Sequence, residues 1–298
     1  MHKYIVLLLL FFACKPISQT NNTMSSVSFD YQGHRGCRGL MPENTIPAML
    51  KAIDLGVTTL ETDAIITKDN KVILSHEPFF NHEITTKPNG EFVTEAEEKS
   101  LNIYQMTYEE VKKFDVGLKP HPRFTNQTKL AVAKPLLADM IDAAERYAKA
   151  KHKAPVHYNI ETKTQAATDN QYHPAPAAFV DLLVAVIQSK KITDRVTIQS
   201  FDIRTLQYLH QKYPLITTAL LIEDFDKKTL EEQITQLGFV PSIYSPHFSL
   251  VDKELIEICH RKGIQIIPWT VNDQSTIQQL KNMGVDGIIS DFPNLFNQ

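Results

Sequence analysis

The sequence predicts an α/β protein with the (β/α)8 TIM-barrel fold, and three observations support this fold class. From residue 29 onward, short apolar and β-branched segments alternate with amphipathic segments. Such alternation is typical of βα units that build a parallel sheet. The segment 264–267 is nearly all apolar, which indicates a strand covered on both faces. About eight such units within about 270 residues correspond to the size of a closed barrel.

Hydrophobic periodicity and end signals place the individual elements. The predicted strands are 29–33, 57–67, 71–75, 155–161, 195–200, 215–222, 242–245, 264–270 and 287–290. The predicted helices are 44–55, 107–113, 135–150, 177–189, 203–212, 228–237, 252–262 and 274–282. Pro47 falls in the first turn of the first helix, where proline is tolerated, and Gly56 ends that helix.

The segment 77–134 interrupts this alternation and is too long for a simple loop. We predict that it is an insertion after the second strand region, lying over the mouth of the barrel, where long loops usually serve a site. A doubly wound sheet is the alternative fold. It would require a glycine-rich phosphate loop after the first strand, and residues 34–39 contain only two glycines at the wrong spacing.

The N-terminal residues are predicted to lie outside the barrel, which would span 29–298. Residues 1–14 resemble a signal peptide that ends in a bacterial lipobox at Cys14, although Phe11 is not the favoured residue there. Residues 15–28 are polar and predict a flexible tether. We therefore expect an exported lipoprotein anchored at Cys14, periplasmic or on the cell surface. The alternative is a plain secretory signal and a secreted or periplasmic protein.

Composition limits the partners and the redox chemistry. The net charge of -3 gives no footprint for nucleic acid and argues against general adhesion to anionic membranes, so membrane contact is expected only through the anchor. Nothing in the sequence indicates an oligomeric state. Cys37 and Cys259 are too distant to suggest a disulfide framework or a zinc site. We expect Cys259 to be core, and Cys37 has no adjacent base to make it a nucleophile.

Three carboxylates are candidates for a metal site. Glu61 and Asp63 are two residues apart in a predicted strand, so their side chains point the same way. Glu161 ends the third predicted barrel strand and completes an all-oxygen set, which favours magnesium, calcium or manganese over zinc. The alternative is a set of solvated charges at strand ends.

Two histidines and two cations complete the polar set. His34 and His76 end predicted strands, and histidine titrates near neutral pH as acid-base catalysis requires. Arg35 and Lys163 suit phosphate oxygens, the first as a bidentate fork and the second as a point charge. For both cations the alternative is an ion pair with the nearby carboxylates.

Several motifs in order resemble the glycerophosphodiester phosphodiesterase family over residues 30 to 296. They are His34-Arg35-Gly36, Pro42-Glu43-Asn44-Thr45, Glu61-Thr62-Asp63, Ser75-His76-Glu77, Asn159-Ile160-Glu161-Thr162-Lys163, Ile198-Gln199-Ser200-Phe201-Asp202, Pro268-Trp269-Thr270-Val271-Asn272 and the segment from Gly284 to Pro293. The resemblance implies a (β/α)8 barrel with an inserted segment. One departure is Glu77, where the family often has aspartate, and it puts the support of His76 in doubt.

The resemblance also implies roles for single residues. Glu61, Asp63 and Glu161 would bind one divalent cation, Ca²⁺ or Mg²⁺, with Glu43 beside them as an organiser of that site. His34 and His76 would be the acid-base pair, and Arg35 and Lys163 would hold the phosphate. Phe201 and Trp269 would line the glycerol or leaving-group side.

The activity expected from this resemblance is metal-dependent hydrolysis of small glycerophosphodiesters to sn-glycerol 3-phosphate and an alcohol, through a cyclic phosphate. One alternative keeps the barrel and the metal but acts on lipid phosphodiesters, as a lysophospholipase D or a cyclising phospholipase. The other is a surface lipoprotein that binds phosphodiesters without cleaving them. The intact set of histidines and carboxylates favours an enzyme.

Overall fold

Eight parallel strands form a barrel in the computed structural model, which describes residues 29–296. The strands of this part of the chain are β1 Asp30–Gly33, β2 Thr59–Ile66, β3 Val72–Leu74, β4 His157–Thr162, β5 Val196–Ser200, β6 Thr217–Ile222, β7 Ile243–Pro246, β8 Gln265–Ile266 and β9 Gly287–Ser290. Its α-helices are α1 Ile46–Leu55, α2 Tyr108–Val111, α3 Leu137–Ala150, α4 Pro176–Ser189, α5 Ile203–Lys212, α6 Leu230–Leu237, α7 Lys253–Arg261 and α8 Gln274–Met283.

The strand order shows that the sheet curls back on itself. Successive parallel strands are neighbours from β4 through β8, and β1 pairs with both β2 and β9. Between β8 and β9, the amides of Asp286 and Ile289 donate to the carbonyls of Ile266 and Pro268 at 3.0 Å each. The predicted (β/α)8 barrel is thus confirmed, and the doubly wound alternative is wrong.

Helix α1 illustrates how the sequence specifies these elements. The Thr45 hydroxyl accepts a hydrogen bond from the amide of Ala48, and Pro47 lies in the first turn. The stripe Ala48, Met49, Ala52 and Ile53 is fully buried in the core between the barrel and its helices. At about 0.8 kcal/mol per buried methylene, burial of this face outweighs any single cap, which contributes about 1 kcal/mol.

One strand is shorter than the sequence predicts, and another runs in a direction that the sequence leaves open. The strand predicted over 264–270 is reduced to β8, because Pro268 lacks an amide hydrogen and cannot donate to a ladder. The chain nevertheless stays close to its neighbour, and Trp269 forms an isolated bridge with His247. Strand β3 does not add a parallel unit. It turns back along β2 in antiparallel register, with Ala64 opposite Leu74.

The residues between β3 and α3 form a compact layer beside the barrel mouth. They contain α2, two short 3-10 helices, and an apolar cluster in which Phe80, Ile103 and Val111 pack on Ile65 and Ile73 of the β2–β3 hairpin. The amide group of Asn102 donates to the carbonyl of Gln171 at 2.8 Å, which ties this layer to the loop after β4. The boundaries 77 and 134 stay a prediction.

The predicted signal peptide, the Cys14 anchor and the tether at 15–28 lie outside the described residues. Within 29–296, no helix is both long and apolar enough to cross a lipid bilayer.

Candidate active site

Three buried carboxylates meet inside the carboxyl end of the barrel. Asp63 of β2 lies opposite Glu161 of β4, and Glu61 lies two residues before Asp63 on the same inward face. One oxygen from each residue can be chosen so that all three lie within 4.8 Å of one another. Glu61 and Asp63 are each 1% exposed and Glu161 is 7% exposed. The structure thus brings together the three carboxylates that the sequence analysis grouped.

The electrostatics of this cluster call for a cation. Burial, together with the neighbouring Asp63 charge, raises the pKa of Glu61 well above its usual range. Burial also raises the pKa of Glu161 to about 7. Burial opposes ionisation of Asp63 as well, but Arg35 beside it holds the pKa of that carboxyl well below its usual range. A divalent cation among these oxygens would remove the repulsion and let all three ionise.

One oxygen of the cluster is available in the way that a metal ligand requires. Asp63 Oδ1 is buried and accepts no hydrogen bond from any residue of 29–296, with Lys163 Nζ 3.9 Å away. A buried carboxylate oxygen without a donor is costly unless something else binds it. Together with the all-oxygen donor set, this fits Ca²⁺ or Mg²⁺ and does not suit zinc.

Amides hold the carboxylates in place. Asn44 adopts a left-handed backbone (φ +54°), and its Nδ2 donates to Asp63 Oδ2 at 2.7 Å. Its Oδ1 accepts from the Thr62 hydroxyl at 2.7 Å. On the other side, Gln199 Nε2 donates to Glu61 Oε1 at 2.8 Å. Asp63 and Glu61 are thus each oriented by a neutral amide donor.

Arg35 enters the cluster from the loop after β1. Its backbone amide donates to Glu61 Oε2 at 2.7 Å, and its Nη1 donates to Glu43 Oε1 at 2.8 Å. Its Nε lies 3.3 Å from Asp63 Oδ2. Burial opposes the Glu43 charge, yet Arg35 and then Arg38 lower the Glu43 pKa to about 2. Glu43 thus contacts the arginine rather than the carboxylate cluster, and it fixes the guanidinium beside it.

Lys163 approaches the carboxylates from the end of β4. Its Nζ donates to Glu161 Oε1 at 2.8 Å, and its side chain lines the open cleft above the cluster. Burial would lower the Lys163 pKa, but the Glu161 charge raises it, so the lysine is fully charged. Arg35 and Lys163 are thus paired with carboxylates, as the alternative interpretation expected. Both side chains also border the cleft.

His34 is oriented by a carboxylate from the last strand region. Its Nδ1 lies 2.6 Å from Asp291 Oδ1, and its Nε2 lies 3.9 Å from Glu61 Oε2. Although burial opposes the Asp291 charge, His34 and Arg38 hold the Asp291 pKa well below its usual range. An ionised carboxylate can only accept hydrogen bonds, so Nδ1 carries a proton and Nε2 faces the cluster.

His76 reaches the same cleft through the antiparallel hairpin. The amide of Ser75 donates to the carbonyl of Asp63 at 3.0 Å, which sets the next residue level with the carboxylates. His76 Nδ1 lies 2.7 Å from Glu77 Oε1. Burial and the Arg35 charge lower the His76 pKa to about 4, so the ring is neutral at pH 7. The family often has aspartate where this chain has Glu77, which put the support of His76 in doubt. The longer Glu77 side chain nevertheless supplies a carboxylate partner for the ring.

A buried lysine supports this hairpin. Lys134 is 4% exposed, and its Nζ donates to the Ser75 hydroxyl at 2.8 Å. That hydroxyl in turn donates to the carbonyl of Glu77 at 2.6 Å. Burial lowers the Lys134 pKa to about 8, against the opposing pull of Glu43 and Glu77.

Aromatic side chains line the opposite side of the cleft, which has a volume of about 870 Å³. Phe201 follows β5, and its ring lies 5.5 Å from that of Trp269 in an edge-to-face arrangement. Trp269 Nε1 donates to the carbonyl of Ser245 at 2.9 Å, which fixes the indole. The two aromatics predicted to line the substrate side thus share one wall, facing the carboxylates.

The family profile described as "Glycerophosphoryl diester phosphodiesterase family" matches residues 34–295, nearly all of the barrel that carries this site. The chain belongs to that family. It is therefore an enzyme, a phosphodiesterase of the type that the sequence motifs resembled.

Several relatives of this phosphodiesterase are known. A glycerophosphodiester phosphodiesterase of Bacillus altitudinis is 29% identical over 263 residues, which cover 88% of this chain and 94% of the relative. A lysophospholipase D of Rattus norvegicus is 25% identical over 278 residues, covering 87% of this chain and 82% of the relative.

Solved structures share the fold. A candidate glycerophosphoryl diester phosphodiesterase from Silicibacter pomeroyi superposes with a TM-score of 0.80 at 28% identity, covering 91% of this chain and 92% of that one. A phosphodiesterase from Oleispira antarctica, solved in complex with its product sn-glycerol-3-phosphate, gives a TM-score of 0.70 at 19% identity. It covers 90% of this chain and 97% of the other.

Some residues that build the phosphodiesterase site were not singled out from the sequence. Asn44 and Asp291 lie inside motifs quoted for the family, so the motifs were available but their contacts were not. Arg38 donates through Nε and Nη2 to both Asp291 oxygens, at 3.0 and 3.1 Å. Lys134 lies in the inserted segment, and no motif marks it.

The cysteines of residues 29–296 take no part in this site. Cys37 and Cys259 are fully buried and free. The Cys37 thiol donates to the carbonyl of Ala48 at 3.3 Å, and burial raises its pKa to about 12. Neither thiol is ionised at neutral pH, as expected for core residues.

Proposed function

We propose that this chain hydrolyses glycerophosphodiesters to sn-glycerol 3-phosphate and an alcohol. The observation that carries the proposal is one cleft in which two histidines, each with a carboxylate at Nδ1, face a cluster of three buried carboxylates. The family membership and the Bacillus altitudinis relative support the substrate class.

Glu61, Asp63 and Glu161 would hold one divalent cation, Ca²⁺ or Mg²⁺. Both ions accept carboxylate oxygens, and the donor set does not choose between them. When bound, such a cation supplies Lewis-acid polarisation of a phosphate oxygen. The chain itself provides Asn44 and Gln199, which hold Asp63 and Glu61 so that their remaining oxygens face the cleft.

His34 and His76 would move the protons. One histidine, neutral and unprotonated at Nε2, takes the proton from the glycerol 2-hydroxyl, whose oxygen attacks phosphorus. The other histidine must enter the step as the imidazolium, and it gives its Nε2 proton to the departing alcohol as the P–O bond breaks. A cyclic phosphate results, and water then opens it to glycerol 3-phosphate. Asp291 and Glu77 stabilise whichever imidazole becomes charged, because each already accepts from Nδ1.

Arg35 and Lys163 would bind the phosphate. Both side chains border the cleft and remain charged, since carboxylates raise their pKa values despite burial. Each is held by a carboxylate, Arg35 by Glu43 and Lys163 by Glu161, so little reorganisation is needed when negative charge develops on phosphorus.

A second candidate is hydrolysis of lysophospholipids, as the name of the Rattus norvegicus relative states for that protein. The observation that favours it is the apolar rim of the cleft. Phe201 is 36% exposed and Phe225 is 73% exposed, and both line the opening together with Phe79. An acyl chain would cover these rings.

The test is release of glycerol 3-phosphate from glycerophosphocholine by the purified full-length chain. It is run with calcium, with magnesium and with chelator, and choline release from lysophosphatidylcholine is measured in parallel. We expect metal-dependent release of glycerol 3-phosphate. No release with either metal by folded protein would overturn the proposal, and cleavage of only the lysophospholipid would select the second candidate.

We also propose that the chain is exported and lipidated at Cys14, on the lipobox-like sequence alone. Mass spectrometry of the mature N-terminus tests this. We expect a lipid-modified Cys14 as the first residue, whereas an unmodified N-terminus at another position would support the plain secretory signal.

A further inference from the structure

The mouth of the barrel is divided into two halves of different chemistry. The half built by β9, β1, β2 and β4 carries the carboxylates, the cations and His34. The other half is built by β5 to β8, and the residues that follow these strands and line the cleft include Phe201, Glu223, Phe225 and Trp269. Glu223 is thus the acidic side chain of an otherwise aromatic half.

The Glu223 carboxylate has no protein partner in the described chain. It follows directly on β6 and lines the same cleft as Phe201 and Trp269. Among residues 29–296, no hydrogen bond or ion pair reaches its side-chain oxygens, and the residue is half-buried. Burial and the neighbouring Asp224 charge raise its pKa. A half-buried carboxylate that is held in a cleft without a partner is available for a ligand.

The rings around it form a rigid frame. The Trp269 ring contacts Phe201 on one side and His247 on the other, each edge-to-face with centroids 5.5 Å apart. The indole cannot turn freely, because its Nε1 is bonded to the Ser245 carbonyl. Phe225, two residues after Glu223, is 73% exposed and also lines the cleft.

A carboxylate among aromatic faces is suited to an ammonium group. A cation over an aromatic ring is attracted by the ring quadrupole, and quaternary ammonium groups are recognised in this way. The carboxylate adds a negative charge, which attracts a cationic head group and repels an anionic one. A neutral head group would gain no such attraction. We propose that Glu223, Phe201, Phe225 and Trp269 form a subsite for an ammonium-bearing head group of the diester.

The position of this subsite follows the connectivity of such a diester. Lys163, which would bind the phosphate, acts electrostatically on Glu223 across the cleft. A choline or ethanolamine nitrogen is two carbons beyond the phosphate oxygen, and with the phosphate on Lys163 the subsite would hold this nitrogen at the Glu223 side of the cleft. On the opposite wall, Arg123 is already paired with Glu83 at 3.0 Å. This assignment rests on the proposed function and names the alcohol that the enzyme prefers.

A titration that needs no turnover tests the subsite. Trp269 is the single tryptophan of the chain, so intrinsic fluorescence reports on this wall alone. The full-length protein is titrated with choline and with 3,3-dimethylbutan-1-ol, which has the same shape without the charge. We expect a saturable change with choline and a much weaker one with the alcohol. An equal response to both, or none to choline, would overturn the proposal.

Two variants identify the carboxylate. Glu223→Gln should weaken choline binding about tenfold, because it removes a partly desolvated cation–carboxylate contact and leaves the aromatic rings in place. Asp224 is exposed and is the next residue after Glu223. Asp224→Asn also removes one negative charge, and this variant should bind choline as the wild type does. If Glu223→Gln binds choline with wild-type affinity, the subsite is wrong. Circular dichroism confirms that both variants are folded.

Kinetics then connects the subsite to selectivity. The ratio of kcat/KM for glycerophosphocholine to kcat/KM for glycerophosphoglycerol should fall about tenfold in Glu223→Gln, through KM, and stay the same in Asp224→Asn. An unchanged ratio in Glu223→Gln contradicts the inference. If the wild type cleaves neither diester, the proposed function fails instead, and the fluorescence titration still decides whether the ammonium site exists.

Discussion

His34 and His76 receive the same kind of support from different parts of the chain. Each ring presents Nε2 to the cleft, because a carboxylate occupies its Nδ1: Asp291 for His34 and Glu77 for His76. A carboxylate at this position fixes the tautomer and stabilises the protonated ring. The two imidazoles therefore have the same kind of hydrogen-bond partner but differ in burial: the His34 side chain is 12% exposed and the His76 side chain is 31% exposed.

Removal of either imidazole ring should lower the turnover number. We expect His34→Ala and His76→Ala each to lower kcat by about 10²–10⁴-fold, the usual contribution of general acid-base catalysis. His157→Ala is the matched control, because His157 is exposed at the amino end of β4, away from the cleft. Near wild-type kcat in both cleft variants would show that these histidines are not the proton carriers.

Lys134 should make the stability of the fold depend on pH. Its pKa falls from the usual 10.5 to about 8 in the folded chain because the ammonium is buried. Between these values the unfolded chain binds more protons, so the free energy of unfolding rises with pH, by about 3 kcal/mol in total. Below pH 8 both states are protonated, and the full penalty applies.

The comparison of wild type with Lys134→Met isolates this contribution. The difference in unfolding free energy, wild type minus variant, should increase from pH 8 to pH 10.5 in denaturant titrations. The exposed Lys253→Met serves as the control for general effects of charge. A difference that stays flat over this range would mean that Lys134 is not buried as a cation.

The loop from β1 to α1, which carries His34 and Arg35, is held in place where the backbone of Gly36 packs closely against α1. Gly36 has a φ of +86°, and a Cβ there would lie 2.7 Å from the Ala48 carbonyl carbon and 2.8 Å from the Ala48 Cβ. Its amide donates to the carbonyls of Gly33 and Glu61. This contact between loop and helix places the Arg35 amide on the Glu61 carboxylate.

Gly36→Ala should therefore disturb both stability and catalysis. Gly90 gives a matched control, since it has a φ of +90° but nothing within 4 Å of its Cβ position. Gly90→Ala should cost about 1 kcal/mol, the left-handed penalty alone. Gly36→Ala should cost roughly 1–3 kcal/mol more through overpacking, and misplacement of its neighbours should lower kcat about 10²-fold. Equal effects of the two substitutions on unfolding would contradict the close approach.

Most elements could be predicted because their apolar patterns are local. Helices α5 and α8 begin where the periodicity and the aspartate caps indicate, at Asp202 and Asp273. Strand β8 could not be bounded, since apolar composition over 264–270 does not reveal how Pro268 interrupts the ladder. The direction of β3 was also hidden, because the pairing of a strand depends on its partner and not on its own residues.

The whole site carries a charge imbalance that the fold must tolerate. The site holds five carboxylates, those of Glu43, Glu61, Asp63, Glu161 and Asp291, and only three cations beside them, Arg35, Arg38 and Lys163. The two excess negative charges are buried, where charge is costly. A divalent cation would balance them, so we expect that binding of such a cation stabilises the entire barrel.

Thermal unfolding measures this stabilisation. At about 100 times the dissociation constant, a bound ion adds about 2.7 kcal/mol, which corresponds to a Tm increase of roughly 5–10 °C for a chain of this size. We expect the increase with Ca²⁺ or Mg²⁺, its reversal by chelator, and its loss in Asp63→Asn. Glu254→Gln, on the exposed face of α7, should keep it. An equal Tm shift in Asp63→Asn would place the ion elsewhere.

The parts of the site that the sequence revealed are those at strand ends. Glu61, Asp63 and Glu161 could be grouped because carboxyl ends of parallel strands meet at one face. Glu77 and Lys134 could not be given their roles in this way. Their contacts depend on how the inserted segment packs against the β2–β3 hairpin, which no periodicity encodes. The partnership of His34 with Asp291 likewise exists only once the sheet has closed.

That closure has a consequence for synthesis of the protein. The amide of His34 bonds to the Ser290 carbonyl and its ring bonds to Asp291, so residues separated by nearly the whole chain complete one another. A nascent chain in which β9 has not yet left the ribosome carries Glu61, Asp63 and Glu161, but its His34 lacks the Asp291 partner. We therefore expect activity to begin only when β9 has paired with β1, so that turnover reports on the closure of the sheet.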